Sequence, residues 1–185
     1  EVPEISEYTV TYNIGSATIQ KGESIINEES VKMANEHFIE FFGHKVISGD
    51  KLTMLKEPNS IVLTKSKAEF YFGDHDVVGK TLHLFSGFDR DFKVTGVIED
   101  VPQNTHFKFD ILISISTIQE RLENEGWRAF NYYTYVRVDD GTDIAELEEK
   151  LIPIKDKHMG EESTLFFNLQ PIRDIHLNSD MTFEP

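Results

Sequence analysis

The densest run of chemically capable residues is Gly73-Asp74-His75-Asp76-Val77-Val78-Gly79-Lys80-Thr81, which ends like a phosphate-binding loop. Such a loop needs four residues between its glycines so that backbone amides can close around a phosphate. Here five intervene, and Asp74 and Asp76 would repel the anion. The flanking pattern also puts a helix before the run and a strand after it, the reverse of what the loop requires. The run is expected to be a helix stop, an acidic turn and a second turn glycine. Asp74-x-Asp76 also suggests calcium, but a helix–loop–helix calcium site would need an oxygen donor at position 78 and a carboxylate at 85. Val78 and Phe85 stand there.

Histidines occur at 37, 44, 75, 83, 106, 158 and 176. None has the i, i+4 helical spacing with a flanking Glu that a hydrolytic zinc site uses. His37 and His44 are separated by Gly43, and the seven are expected at surfaces and caps. No serine lies in a Gly-x-Ser-x-Gly elbow, and the chain has no cysteine. Thiolate nucleophiles, disulfides and thiolate-bound metals are thereby excluded. Adjacent carboxylates such as Glu148-Glu149 and Glu161-Glu162 follow from the abundance of acid alone. A working acid/base pair would need one member desolvated, and both runs read as solvated. No catalytic, cofactor-binding or metal-ligating residue is assigned. An enzyme would require a buried His–carboxylate pair in a cleft, for instance around His106 or His176. The stripe Phe38, Phe41, Phe42 and the cluster Trp127, Phe130, Tyr132, Tyr133, Tyr135 are expected in the core, with an exposed aromatic surface as the other reading.

The 185 residues carry 18 basic and 33 acidic side chains, a net charge of −15, with 39% apolar residues. That composition supports a core in one domain or two small lobes. Its acidity argues against nucleic acid and anionic lipid as partners, since both are polyanions. No apolar run exceeds three residues, against the ~20 that a spanning helix needs. The first residues lack the basic start and apolar stretch of a signal peptide. With no initiator Met, the chain is expected to be a piece cut from a longer protein.

These residues need elements to hold them. Tyr8, Val10 and Tyr12 alternate with polar residues as in a half-buried strand, Asn13 to Ser16 looks like a turn, and Ala17–Gln20 and Ser24–Lys32 continue a sheet. A helix is predicted over 36–42, capped by Asn35 and stopped by Gly43. Ile61 to Leu63 is a strand, and Thr64 is expected to cap a helix that Gly73 ends. Strands are predicted at 81–86, 92–99 and 107–114, with Gly96 as a bend or bulge. Ser116 and Gln119 make a capping-box pattern for a helix over 117–125. Tyr132–Val138 is a strand, Asp143 and Glu146 open a helix that Pro153 should end, and Leu165–Leu169 closes the sheet. Several strands with four interspersed helices, lacking strict alternation, give an α+β fold class.

The ordered motifs carry a resemblance. They begin with Pro3-Glu4-Ile5, Phe41-Phe42, Ile47-Ser48-Gly49-Asp50 and Glu57-Pro58-Asn59-Ser60-Ile61-Val62-Leu63-Thr64. Ala68, Tyr71-Phe72-Gly73, Val78-Gly79-Lys80-Thr81-Leu82 and the run Phe92 to Pro102 follow. His106-Phe107, Thr134-Tyr135-Val136 and the run Leu169 to Leu177 complete the series. Over nearly its whole length the chain resembles the MacB-like periplasmic core domain of FtsX-like ABC transporter permeases, in the form common in Bacteroidetes.

The resemblance implies two lobes: a porter-like α/β lobe from residues 1–52 and 129–185, and an inserted β-rich lobe from 53–128. It implies a place on the periplasmic side of the cytoplasmic membrane, between the first and second spanning helices of a permease. Implied partners are the permease's own transmembrane helices, a second permease copy, a cytoplasmic ABC ATPase and a periplasmic adaptor or substrate. ATP would be bound by that separate ATPase, leaving this domain without a cofactor and without enzymatic chemistry. Its work would be mechanotransmission, in efflux or in release of a peptide, drug or lipoprotein. The alternative is an extracytoplasmic ligand-binding or sensor domain.

Overall fold

The computed structural model describes residues 2–85, 87–102, 105, 107–128 and 132–175, the Arg128 side chain excepted. The alternating start of the chain forms one long strand, β1 (Ile5–Lys21), which turns through Gly22-Glu23 into β2 (Ser24–Ala34). The expected turn at 13–16 is an irregularity inside that strand instead. The Asn13 side chain accepts a bond from the Gly15 N–H at 2.9 Å, a turn-like local bond. The ladder with β2 slips on either side of Gly15 and then resumes, from Thr11↔Ala34 to Lys21↔Ser24.

The remaining strands are β3 (Val46–Gly49), β4 (Ser60–Thr64), β5 (Thr81–Leu84), β6 (Arg90–Ile98), β7 (Ile111–Ser114) and β8 (Tyr132–Val138). All eight share one sheet in the order β2-β7-β4-β6-β5-β1-β8, with β3 on β6. Because β1 also pairs β2, hydrogen bonding runs in a closed circuit through β1, β2, β7, β4, β6 and β5. Strands from the stretches 1–52, 53–128 and 129–185 all take part in the sheet.

Alternate side chains of the circuit face inward, as the two-residue period of a strand requires. Ile19, Met33, Ile61, Leu63, Leu84, Phe92, Val94, Ile111 and Ile113 form this first core cluster. The intervening residues Val62, Ile98 and Leu112 face the other way. There they pack with Phe38, Ile39, Met54, Leu55, Phe107 and Phe109 in a second cluster. The expected bulge at Gly96 is present: β4 pairs Ile61 with Val94 but Val62 with Gly96. That extra residue shifts the parity of β6, so Val94 and Val97 both point inward.

Among the described residues there are four α-helices: α1 (Phe38–Phe41), α2 (Lys65–Phe72), α3 (Gln119–Glu125) and α4 (Ile144–Met159). The first is shorter than predicted. The α2 N-terminus is capped from a distance. Thr64 makes no side-chain cap bond, and the Asp100 carboxylate instead accepts the Ser66 N–H at 2.9 Å and the Ser66 hydroxyl at 2.6 Å. The Ser116–Gln119 box does not form either. Ile115–Ile118 is a 3₁₀ turn, and the Ser116 hydroxyl donates to the Lys56 carbonyl.

Asp143 caps α4 as expected, accepting from the Ala145 and Glu146 N–H groups. Pro153 does not end this helix, which continues to Met159 and stops at Gly160. An interior proline removes one bond from the helical ladder. Bonding resumes beyond it, as in the Gly160 N–H to Asp156 carbonyl bond of 2.9 Å. Residues 165–169 form no strand: the Leu169 N–H is taken by the Glu148 side chain at 2.6 Å.

Candidate interaction groove

The suspected phosphate loop is a satisfied turn. Gly73 ends α2 in the left-handed conformation (φ 70°). The Asp74 carboxylate accepts the His75 and Asp76 N–H groups at 2.7 and 3.1 Å. Those two backbone bonds, first from Asp76 and then from His75, hold Asp74 below the ordinary carboxylate range. The Lys80 ammonium rests over the Phe72 ring.

The described histidines sit apart from one another, each in its own surroundings. His44 stacks on Phe38 at 5.5 Å, and burial pushes its pKa down. His83 bridges Asp91 (2.8 Å) and Asp89 (3.3 Å); these bonds, Asp91's first, raise its pKa although partial desolvation opposes them. His37 lies edge-on to Tyr8, and His158 stacks on Trp127 at 4.2 Å. Among the described residues no three His, Asp or Glu side chains are grouped to hold a metal. His106, His176 and Phe130 lie outside the described residues.

A buried ionic cluster between β2 and α2 is structural in its bonding. Glu28 on β2 is 5% exposed. It accepts from the Lys67 ammonium at 2.5 Å and from the Tyr71 hydroxyl at 2.7 Å, both on α2. Burial, then the Glu28 carboxylate, drives the Tyr71 pKa far up, so the phenol stays a donor.

The aromatic residues divide between two places. Phe38 is fully buried, as expected. Phe42 and Tyr135 pack against the same core cluster, and together with Phe41, Trp127, Tyr132 and Tyr133 they also line an open groove of about 1470 Å³. One wall is β8, with all of residues 132–138 contributing; the other is the irregular segment 166–172. α3 and α4 add Leu122, Glu123, Ile144 and Met159. Phe166 is 73% exposed and Trp127 45%, so apolar surface stands in water there. Sequence reading missed this groove, because its walls lie far apart in the chain. The closest signal was the Trp127–Tyr135 cluster, expected in the core with an exposed aromatic surface as the other reading.

The comparisons with known proteins bear on what such a domain is. The sequence model for the MacB-like periplasmic core domain matches residues 1–154. The chain belongs to the MacB-like periplasmic core domain family. Among solved structures, a domain of a protein described as a permease, from Porphyromonas gingivalis, is 27% identical with a TM-score of 0.76. That match covers 92% of this chain and 81% of the other. The periplasmic region of MacB from Actinobacillus actinomycetemcomitans shares the fold at 20% identity and a TM-score of 0.63, covering 95% and 78%. The extracellular domain of the noncanonic ABC-type transporter YknZ from Gram-positive bacteria does so at 14% identity and 0.61, covering 86% and 79%. No curated protein matches the chain. The fold is the mixed α/β arrangement of these periplasmic permease domains. The matched family is a periplasmic domain of MacB-like transporter permeases. Among the described residues no helix is long and apolar enough to cross a membrane.

Proposed function

We propose that this chain is the extracytoplasmic part of an ABC transporter permease, anchored in the cytoplasmic membrane by helices of its own polypeptide. A separate cytoplasmic ATPase binds the ATP, and the domain passes its conformational work to a substrate or to a periplasmic partner. The permease works as a pair, and this domain adds no catalytic residue or cofactor. The observation that carries the reading is the family match over residues 1–154. Two lobes, 1–52 with 129–185 and the inserted 53–128, would be joined through the β1–β2 hairpin, which pairs with β8 on one side and with β5 and β7 on the other.

Two measurements test it. The parent reading frame should place one spanning segment before this region and three after it. Cysteines introduced in the full-length permease at Ile25 and Ile152, both exposed, should carry spin labels whose separation changes when ATP is added with the ATPase. A parent chain without spanning segments, or separations that ignore ATP, overturns the reading.

A further inference from the structure

The groove has a direction. Successive side chains of a strand point to opposite faces of the sheet. A cavity touched by every residue from 132 to 138 therefore runs along the strand's edge and not across one face. That edge is open: β8 pairs only with β1 among the described residues, in a register running from Ile5↔Val138 to Tyr12↔Tyr132. The opposite wall, 166–172, is irregular chain that runs into the 3₁₀ turn Ile172–Asp174. From 166 to 170 its backbone makes no backbone–backbone bond among the described residues, and the Leu169 N–H is satisfied by Glu148. An unpaired edge facing an apolar slot is a template for another strand.

Charge selects among strands. Arg137 is spent on Glu7 at 2.7 Å and on the Phe41 carbonyl at 3.0 Å. Glu123, whose carboxylate meets the neutral Gln119 amide at 2.9 Å, leaves its negative charge facing the groove. Glu120 on α3, and Asp139 and Asp140 just past β8, are exposed nearby in sequence, within a chain of net charge −15. We propose that the groove takes an extended, apolar peptide segment of net positive charge, added as a strand to the open edge of β8. This goes beyond the permease reading and holds or fails without ATP coupling.

Trp127, the chain's sole tryptophan, lines the groove and reports on it. The probe is an acetylated, amidated peptide alternating Val and Lys, about as long as β8. It should shift Trp127 emission saturably and slow amide exchange within 132–138. N-methylating alternate peptide amides distinguishes strand addition from greasy contact, because only one of the two sets faces β8. One set should weaken binding about tenfold or more, as lost backbone bonds do, and the other should leave it unchanged. Phe166→Gln, a neutral change at an exposed position, should weaken binding about tenfold through lost apolar contact with unaltered melting. The proposal is overturned by no saturable shift, by equal loss from both methylated sets, or by equal binding of a Val–Asp peptide. It is also overturned if short-chain phosphatidylcholine shifts Trp127 while the peptide does not, or if the chain instead dimerises through β8.

Discussion

Gly49 on β3 and Gly96 on β6 lie opposite one another so closely that a Cβ on Gly49 would stand 2.8 Å from the Gly96 Cα and 2.4 Å from the Thr95 carbonyl oxygen. Gly49 also sits at φ +98°, a region L side chains avoid. Gly49→Ala should therefore cost about 3 kcal/mol, combining backbone strain with a clash that rigid backbone cannot relieve. Gly96→Ala meets the flexible end of Met54 at 2.8 Å and should cost less, about 1–2 kcal/mol. Urea midpoints of both variants check the order; a Gly49→Ala protein as stable as the parent contradicts it.

Asp100 should behave as the N-cap of α2 although it lies far from it in sequence. Partial burial opposes its charge, but the Ser66 hydroxyl and N–H bonds hold its pKa below the ordinary range. Asp100→Ala should cost about 1 kcal/mol, the usual effect of losing a cap. Thr64→Val, at the formal cap position, should not reproduce this through lost capping. Thermal melting of the two variants separates the roles.

Removing Glu28 alone should be costlier than removing it together with its two partners. Glu28→Ala leaves the Tyr71 hydroxyl without its acceptor and the Lys67 ammonium with only Asp110, at 3.8 Å, at a cost of about 2–4 kcal/mol. The triple change Glu28→Leu, Lys67→Met, Tyr71→Phe removes all three polar groups and should recover much of that loss. A triple variant no more stable than Glu28→Ala would show that the site needs its charge.

Two histidines pull stability in opposite directions with pH. Burial depresses the His44 pKa from 6.5, so below about that pH the unfolded chain takes up a proton that the folded one resists. His44 thus contributes stability at neutral pH that is lost on acidification, and His44→Phe should flatten that loss. Asp91, then Asp89, raises the His83 pKa from 6.5 against a smaller desolvation effect. Its stabilisation is complete below 6.5 and disappears as the pH climbs through the raised value. His83→Gln should therefore weaken the protein at mildly acidic pH and leave it unchanged in alkali. Denaturant titrations across pH 5–9 test both slopes.

Local signals carried much of the fold. The stop at Gly73, the Gly96 bulge, β8 and the Asp143 cap were all legible, because each depends on bonds among neighbouring residues. What could not be read depended on distant partners. Asn13-Ile14-Gly15 has turn chemistry, yet the ladder to β2 carries the chain straight on. Pro153 weakens one helical bond without outweighing the rest of α4. Leu165–Leu169 has strand composition, but Glu148 takes the Leu169 N–H. The groove was hidden for the same reason: Trp127 and Tyr133 resemble core residues until β8 is seen to be an outer strand.

A single strand, β1, belongs to two assemblies at once. Residues 11–21 are built into the closed circuit, while 5–12 carry β8. At ~3.3 Å per residue it is a spar of roughly 55 Å, so tilting one end levers the other. The slips around Gly15 mark where that spar has the fewest bonds resisting a bend. A push arriving from the N-terminal side would accordingly either swing the whole ring or flex there, and the stiffness of three residues would decide which.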